Sequence, residues 1–124
     1  GSYDLALKYA QERVTFGKPI IQHQAIAFKL ADMHVKITCA RLLIHKAAAK
    51  KDLGEDIAHS GAMAKLYASE IALEVANDAV QIHGGNGYVS EYHVERMMRD
   101  SKITQIYEGT SEIQRIVISR GLVK

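Results

Sequence analysis

The chain has 124 residues, enough for one domain with its own core but too few for two. Apolar residues make up 48% of the chain and charged residues 24%, which excludes a disordered or collagen-like chain. Its 16 lysines and arginines are mixed with 14 aspartates and glutamates, so the net charge is +2 and no basic region favours nucleic acid.

The chain also has no segment suited to a membrane. Its longest stretch without a charged residue, 79–90, contains three glycines and is too short to span a bilayer. The single cysteine, Cys39, cannot form an internal disulfide, and its place in a helical segment predicts a small buried residue rather than a nucleophile. Helix-like sequence directly follows Gly1 and Ser2, which predicts a truncated first helix and a piece of a longer protein.

Glycines and a single proline divide the chain into helical segments. The first helix is predicted from Tyr3 to about Val14 and ends at residues 16–19, where a turn must follow. The second is predicted from about Gln22 to Asp52, because apolar residues recur there in steps of three, four and seven. These apolar residues are Ile26, Leu30, Met33, Ile37 and Ile44.

The third helix is predicted from Ile57 to Ile82, with Asp56 as its N-cap. Its apolar residues cover two faces, and only a narrow acidic stripe remains, formed by Glu70, Glu74 and Asp78. A helix that is apolar on most sides lies in the middle of a bundle, so we expect this helix to be the central element of the core.

Two shorter helices follow a glycine-rich loop at residues 83–87. The first is predicted to begin with Ser90 as its cap and to extend to about Lys102. The last begins at residues 110–112 and is expected to direct Ile113, Ile116 and Val117 inward. Helices joined by short loops predict an all-α fold, an up-and-down antiparallel bundle of about four to five helices.

Three histidines at equal spacing, His23, His34 and His45, invite comparison with a metal site. Eleven residues span about 16 Å of helix, which is too far for two of them to bind one ion. We therefore predict no metal site and expect each histidine to be solvated or individually hydrogen-bonded.

The glycine-rich segment 81–87 has two open interpretations. It can be a tight turn, which the residues alone favour, or its backbone N–H groups can contact a phosphate or a ring. It is not a Rossmann motif, because a helix rather than a strand precedes it.

Glu108 also has two interpretations, because it lies between an apolar run and a glycine. Such a carboxylate, once desolvated, can act as a general base. The alternative, which spacing alone favours, is an acid that interacts with the dipole of the last helix.

Five segments, taken together and in order, resemble the carboxy-terminal helical domain of acyl-CoA dehydrogenases. They read YAQERVTFGKPI at 9–20, HQAI at 23–26, QIHGGNGY at 81–88, RD at 99–100 and IYEGTSEIQ at 106–114. The likeness covers essentially the whole chain and is greatest to the short- and medium-chain members. It places residues 1–124 in that domain, without the amino-terminal helical domain and the middle β-domain, so the chain alone should be inactive.

The resemblance implies a flavoenzyme that oxidises a saturated acyl-CoA thioester to the trans-2-enoyl-CoA. Glu108 matches the catalytic base, which takes the α-proton while hydride leaves the β-carbon for the flavin. The backbone N–H of Glu108 and a flavin ribityl hydroxyl are expected to hold the thioester carbonyl and stabilise the developing enolate. Gly109 is expected to line the substrate path.

The implied cofactor is FAD, held by residues from several parts of the chain. An arginine suits the pyrophosphate because its donors form a fixed fork. The family positions that contact FAD are matched by Arg13, Thr15, Phe16, His23, Gln24, Gln81, Ile82, His83, Gly84, Gly85, Thr110 and Glu112.

The family binds FAD across a subunit boundary, which implies a homo-oligomer, either a dimer or a tetramer. The implied electron acceptor is electron-transfer flavoprotein, and the implied location is the bacterial cytoplasm or the mitochondrial matrix. Two alternatives remain: an acyl-CoA oxidase, which returns electrons to oxygen, and a non-catalytic helical module used only for oligomerisation.

Two positions depart from the family pattern. His83 stands where relatives often have a larger apolar residue, and Glu112 stands where some have glutamine. Neither removes a catalytic group, but both weaken assignment to one chain-length class.

Overall fold

A computed structural model describes residues 1–123, and within them the chain forms a bundle of five α-helices. They are α1 (Ser2–Glu12), α2 (Gln24–Asp52), α3 (Ala58–His83), α4 (Val94–Ile103) and α5 (Ser111–Gly121). The predicted all-α bundle is confirmed. No helix within these 123 residues is both long and apolar enough to cross a lipid bilayer.

The predicted turn after α1 is part of a small hairpin. Strand β1 (Val14–Thr15) pairs antiparallel with β2 (Lys18–Pro19), and Phe16 and Gly17 between them both have positive φ. Two positive φ angles match the twist of the flanking strands, which is why such turns connect hairpins. Because of the hairpin, α1 ends two residues before its predicted end and α2 begins two residues after its predicted start.

Helix α3 is the central element, as predicted, because it contacts each of the other α-helices. Small buried side chains allow the neighbouring helices to approach it closely. These are Ala62, Ala64, Ser69, Ala76 and Ala79. Larger buried residues of α3, Ile71, Val75 and Ile82, join the same core as Met33 of α2 and Val94 of α4.

The acidic stripe of α3 is used for contacts between helices. Glu74 and Asp78 form ion pairs with Lys36 and Lys29 of α2, with N–O distances of 2.7 and 2.5 Å. The hydrogen bond from Lys36 to Glu74 raises the pKa of the Lys36 ammonium group. Two pairs in reversed order along the two helices show that α2 and α3 are antiparallel. Glu70 pairs with Arg115, which connects α3 to α5 in the same way.

Two predictions about α4 and α5 are wrong. Ser90 does not cap α4; it begins a short 3-10 turn, and α4 starts only at Val94, after His93 in the left-handed region. Ile113 and Ile116 do not face inward, since they are 48% and 43% exposed. The start of α5 is as predicted, because the Thr110 hydroxyl accepts a hydrogen bond from the Ile113 N–H.

Residues of α2 depart from expectation as well. Cys39 is exposed, so the prediction of a buried cysteine is wrong. Ile44, at the end of the predicted apolar face, is also exposed, whereas Leu30 and Met33 are buried as expected. Exposed apolar residues also lie outside that face, and Phe28, Val35 and Leu42 are each at least 60% exposed.

Candidate functional site

Ten residues in segments 9–20, 23–26 and 81–88 were predicted to contact the cofactor, and six of them surround one cleft. The cleft has a volume of about 430 Å³ and lies between the end of α1, the hairpin and the carboxyl end of α3. We call it the glycine-loop cleft; its lining residues are Tyr9, Arg13, Thr15, Ile20, Ile82, His83, Gly84, Gly85 and Asn86. Six of these were predicted, while Tyr9, Ile20 and Asn86 were missed.

Tyr9 connects the glycine loop to α1. Its ring stacks on His83 with centroids 4.3 Å apart, and its hydroxyl accepts a hydrogen bond of 2.9 Å from Asn86 Nδ2. His83 is buried, and its Nδ1–H donates to the Ala79 carbonyl at 2.7 Å. His83 therefore has a structural role, because its imidazole stacks on Tyr9 and donates a hydrogen bond to the Ala79 carbonyl.

The three glycines of the loop differ in what they require. Gly84 ends α3 with φ at 60° and ψ at −137°, a conformation that disfavours other residues. A Cβ on Gly87 would lie 2.5 Å from the Val80 carbonyl oxygen, so close packing excludes a side chain there. Gly85 has neither constraint, since a Cβ on it would meet nothing within 4 Å. Its lack of a side chain leaves space on the cleft side rather than serving the fold.

Arg13 supplies the positive charge of the cleft. Its side chain is exposed and makes no ion pair within residues 1–123. Thr15, beside it, is hydrogen-bonded through Oγ1 to His23 Nε2 at 3.0 Å. His23 thus holds the hairpin against the start of α2 and does not line the cleft itself.

Three further residues predicted to bind the cofactor do not line the cleft. Gln24 and Gln81 are exposed, and Phe16 is 97% exposed at the tip of the hairpin. The Phe16 ring has an edge-on contact with the His23 ring, with centroids 6.0 Å apart. An apolar ring this exposed has its faces free for a contact with another molecule.

Glu108 lies in the loop between α4 and α5, residues 104–110, which we call the Glu108 loop. Its side chain is exposed within the described part of the chain, so residues 1–123 do not themselves desolvate the carboxylate. Glu108 has φ at 52° and Gly109 has φ at 94°, two successive residues in the left-handed region. The backbone N–H of Glu108 has no hydrogen-bond acceptor among residues 1–123. One residue therefore offers a carboxylate and an unpaired donor side by side.

Hydrogen bonds from both sides hold this loop. Lys65 Nζ, from α3, donates to the Gly109 carbonyl oxygen at 2.7 Å. Gln114 Nε2, from α5, lies 3.2 Å from the same oxygen and 3.4 Å from the Glu108 carbonyl oxygen. The Ser111 N–H closes the loop by donating to the Gln105 carbonyl at 3.0 Å. Sequence reasoning missed Lys65, because it lies 44 residues from Gly109.

Thr110 and Glu112 belong to the Glu108 loop and to the start of α5, not to the glycine-loop cleft. The Glu112 carboxylate interacts with its own backbone N–H and with the Thr110 hydroxyl, and these hydrogen bonds lower the pKa of Glu112. An anion at the first turn of a helix is also favoured by the helix dipole.

The two groups of residues are far apart in one chain. Lys65, which contacts Gly109, and His83, which lines the cleft, are 18 residues apart on α3, or about 27 Å along its axis. The predicted cofactor positions therefore form two separate sets: one around the glycine-loop cleft and one beside Glu108.

The histidines have individual surroundings. His34 and His45 are exposed, and His23 is bonded to Thr15. In the part of the chain that the structure describes, no three side chains among histidine, cysteine, aspartate and glutamate converge on a metal-sized site.

Residues 1–123 match the family described as acyl-CoA dehydrogenase, C-terminal domain. The chain belongs to this family.

Named relatives of this acyl-CoA dehydrogenase domain support the assignment. The chain is 52% identical to the caffeyl-CoA reductase-Etf complex subunit CarC of Acetobacterium woodii, covering 100% of this chain and 33% of that protein. Its structure matches butyryl-CoA dehydrogenase from Megasphaera elsdenii with a TM-score of 0.98 and 50% identity, over 99% of this chain and 32% of that one. An FAD complex of PigA matches with a TM-score of 0.95 and 34% identity, over 98% and 32%. The domain thus spans about a third of the length of these relatives.

Proposed function

We propose that this domain carries the catalytic base of an FAD-dependent acyl-CoA dehydrogenase and supplies part of its FAD site. The observation that carries the proposal is the geometry of Glu108. Its exposed carboxylate and unpaired N–H belong to one residue in the left-handed region, in a fold that matches butyryl-CoA dehydrogenase. The spacing alone favoured a helix-start acid, but that role is taken by Glu112, whose carboxylate interacts with the first turn of α5.

In the proposed reaction, the N–H of Glu108 donates a hydrogen bond to the thioester carbonyl oxygen of the substrate. This bond stabilises negative charge on that oxygen and so makes the α-carbon more acidic. A Glu108 carboxylate oxygen then takes the α-proton. Gly109 keeps the loop free of a side chain at φ 94°, where a Cβ would lie 2.8 Å from Gln114 Nε2. Bound FAD supplies the acceptor for the hydride that leaves the β-carbon, and the product is the trans-2-enoyl-CoA.

The glycine-loop cleft fits a dinucleotide cofactor. Arg13 provides a cation that makes no ion pair within residues 1–123, and Gly85 leaves the loop backbone open to a close contact. Glycine backbone at a helix end and a guanidinium fork are both suited to phosphate oxygens. The likeness to an FAD complex of PigA supports FAD as that dinucleotide. The exposed Phe16 is then available to contact the cofactor or a second subunit.

Two features support a homo-oligomer with FAD between subunits. First, the cleft and the Thr110–Glu112 segment lie beside positions of α3 that are about 27 Å apart along the helix axis. We therefore infer that one FAD contacts the cleft of one subunit and the Thr110–Glu112 segment of another. Second, α2 has an exposed apolar row at intervals of seven residues, Phe28, Val35 and Leu42. Such a row lies along one side of a helix and is typical of a contact between helices.

The similarity to a subunit of an Etf complex supports electron-transfer flavoprotein as the electron acceptor. The named source organisms of the relatives are bacteria, so we place the enzyme in a bacterial cell rather than in a mitochondrial matrix. Because one relative is named as a reductase, we also expect the domain to be compatible with the reverse reaction, the reduction of an enoyl-CoA.

The test uses the full-length protein that contains this domain, in the wild-type form and as Glu108→Gln and Glu91→Gln. Each is titrated without oxygen with butyryl-, octanoyl- and isobutyryl-CoA while the visible flavin absorbance is followed. We expect one thioester to bleach the wild type and Glu91→Gln, a matched exposed acid, while Glu108→Gln keeps its flavin and loses at least about 100-fold in rate. Substantial residual activity in Glu108→Gln would place the base elsewhere.

The same samples test the two alternatives. An oxidase would form hydrogen peroxide from acyl-CoA in air at the rate of substrate oxidation. A non-catalytic oligomerisation module would contain no flavin, and Gly85→Val would not change its flavin content. Under the proposed function, Gly85→Val lowers FAD content because it fills the open side of the loop.

A further inference from the structure

We propose that Lys65 is a positioning residue for the reaction, because it fixes the orientation of Glu108 through the Gly109 carbonyl. The inference rests on the proposed role of Glu108 as the base. Lys65 acts through the backbone of the Glu108 loop, because its Nζ donates to the Gly109 carbonyl oxygen and not to the Glu108 carboxylate.

The bond from Lys65 is unlike the other lysine contacts of α3. Lys29 and Lys36 reach α3 from α2 and pair with carboxylates, whereas Lys65 extends from α3 to a neutral backbone oxygen. The half-buried Lys65 has no carboxylate partner within residues 1–123. Ordering a long side chain has an entropic cost, and a charged donor forms a stronger hydrogen bond than a neutral one. A lysine used in this way is well suited to hold one carbonyl in place.

The backbone that it holds is strained. Glu108 is not a glycine, yet it has φ at 52°, and such residues persist only where the surroundings hold them. All other hydrogen bonds to the Glu108 and Gly109 carbonyls within residues 1–123 come from Gln114, which lies on the adjoining helix α5. Lys65 is therefore the residue that connects this strained pair to the central helix.

Both chemical groups of the proposed site depend on this conformation. The Glu108 side chain and the Glu108 N–H group belong to one residue, so a backbone rearrangement at 108–109 displaces both the base and the carbonyl donor. A displacement of about 1 Å in a reacting group can lower the rate by about 100-fold. Burial does not hold Glu108 in residues 1–123, since its side chain is exposed, so hydrogen bonds to its backbone must do so.

The inference is tested in the flavin-loaded full-length enzyme with Lys65→Met, which keeps an unbranched side chain one atom shorter and removes every donor. Lys36→Met is the matched control, because it removes a lysine that contacts α3 through Glu74. The substrate is whichever of the three thioesters bleaches the wild type, used with hydrogen and with deuterium at the α-carbon. We expect Lys65→Met to lower kcat at least about tenfold, to leave KM within about threefold, and to increase the α-deuterium isotope effect.

A purely structural role would not change the isotope effect, since loss of folded protein lowers the rate without changing the α-proton step. Flavin content and melting temperature are measured on the same samples, and Lys65→Arg, which keeps a charged donor, should recover part of kcat. If Lys65→Met does not fold, Lys65→Gln and Lys65→Arg are compared in the same way. An unchanged kcat and isotope effect in folded Lys65 variants would overturn the inference.

Glu108→Gln is measured alongside, so that the two failures can be distinguished. If Glu108→Gln retains turnover, the proposed function itself is wrong. If Glu108→Gln loses turnover and the Lys65 variants equal the wild type, the base is correctly assigned and only the role of Lys65 is refuted.

Discussion

The two ends of α3 are built in different ways. At its carboxyl end, the glycine-loop cleft is held by packing: His83 is buried, Tyr9 stacks on it, and Gly87 lies against the Val80 backbone. Toward its amino end, the Glu108 loop is exposed and is held by hydrogen bonds from Lys65 and Gln114. A surface that receives a large ligand can be formed by the core itself, whereas a base that meets substrate must stay accessible to it. Substitutions in the first region should therefore lower the stability of the fold, and substitutions in the second should lower the reaction rate.

The largest effect is expected in the Glu108 loop. Gly109→Ala places a side chain at φ 94°, which is strained for alanine. Its Cβ would lie 2.8 Å from Gln114 Nε2, so the amide that donates to the Glu108 and Gly109 carbonyls must move away. We expect turnover of the full-length enzyme to fall by about 100-fold, with the flavin content unchanged. Stopped-flow measurement of flavin reduction gives the rate. An equal loss of flavin content and of rate would show that substitutions in this region also act by destabilising the fold.

The corresponding change at the cleft is Gly87→Ala. Its Cβ would lie 2.5 Å from a backbone oxygen that cannot move aside easily, so we expect the free energy of unfolding to fall by about 1–3 kcal/mol. Urea denaturation followed by circular dichroism measures it. Gly61→Ala is the control, because its Cβ meets nothing within 4 Å inside α3 and should stabilise the helix by up to about 1 kcal/mol. Equal stability of the two variants would contradict the packing argument.

A smaller effect tests the link between α1 and the glycine loop. Tyr9→Phe keeps the ring that stacks on His83 and removes the hydroxyl that accepts from Asn86. We expect a loss of about 1 kcal/mol in unfolding free energy and weaker FAD retention on dilution. Tyr88→Phe changes a hydroxyl on a side chain that is 83% exposed, and it should leave both quantities unchanged. Unchanged FAD retention in Tyr9→Phe would show that this hydrogen bond does not contribute to cofactor binding.

The smallest effect is the change in stability that protonation of Glu112 causes at low pH. Hydrogen bonds from the Glu112 backbone N–H and the Thr110 hydroxyl lower the pKa of Glu112. The folded state therefore releases this proton more readily than the unfolded chain. The stabilisation is complete above the ordinary value of 4.5 and is lost as the pH falls through the lower folded value. Carbon-detected NMR titration of the Glu112 carboxyl should give a midpoint below the ordinary value of 4.5. A midpoint at or above 4.5 would refute this prediction.

Local patterns in the sequence were enough to predict a bundle of about five helices and the bounds of its central helix. Helical spacing and breakers place α3 within one residue of its observed ends, and Thr110 caps α5 as its type and position suggest. The family likeness identified the acyl-CoA dehydrogenase domain, which the comparisons confirm. The roles assigned to individual residues, Glu108 included, stay predictions.

Only the tertiary structure decided which surfaces meet. Spacing shows that Ile113 and Ile116 share a side of α5, but it does not say how far other helices cover that side, and within residues 1–123 the two side chains stay 48% and 43% exposed. Likewise, Asn86 meets Tyr9 from 77 residues away, and Lys65 meets Gly109 from 44 residues away. Periodicity describes one helix at a time, whereas these contacts depend on how five helices pack around α3. The same packing sets the distance between the cleft and Glu108, which cannot be predicted from a local sequence pattern.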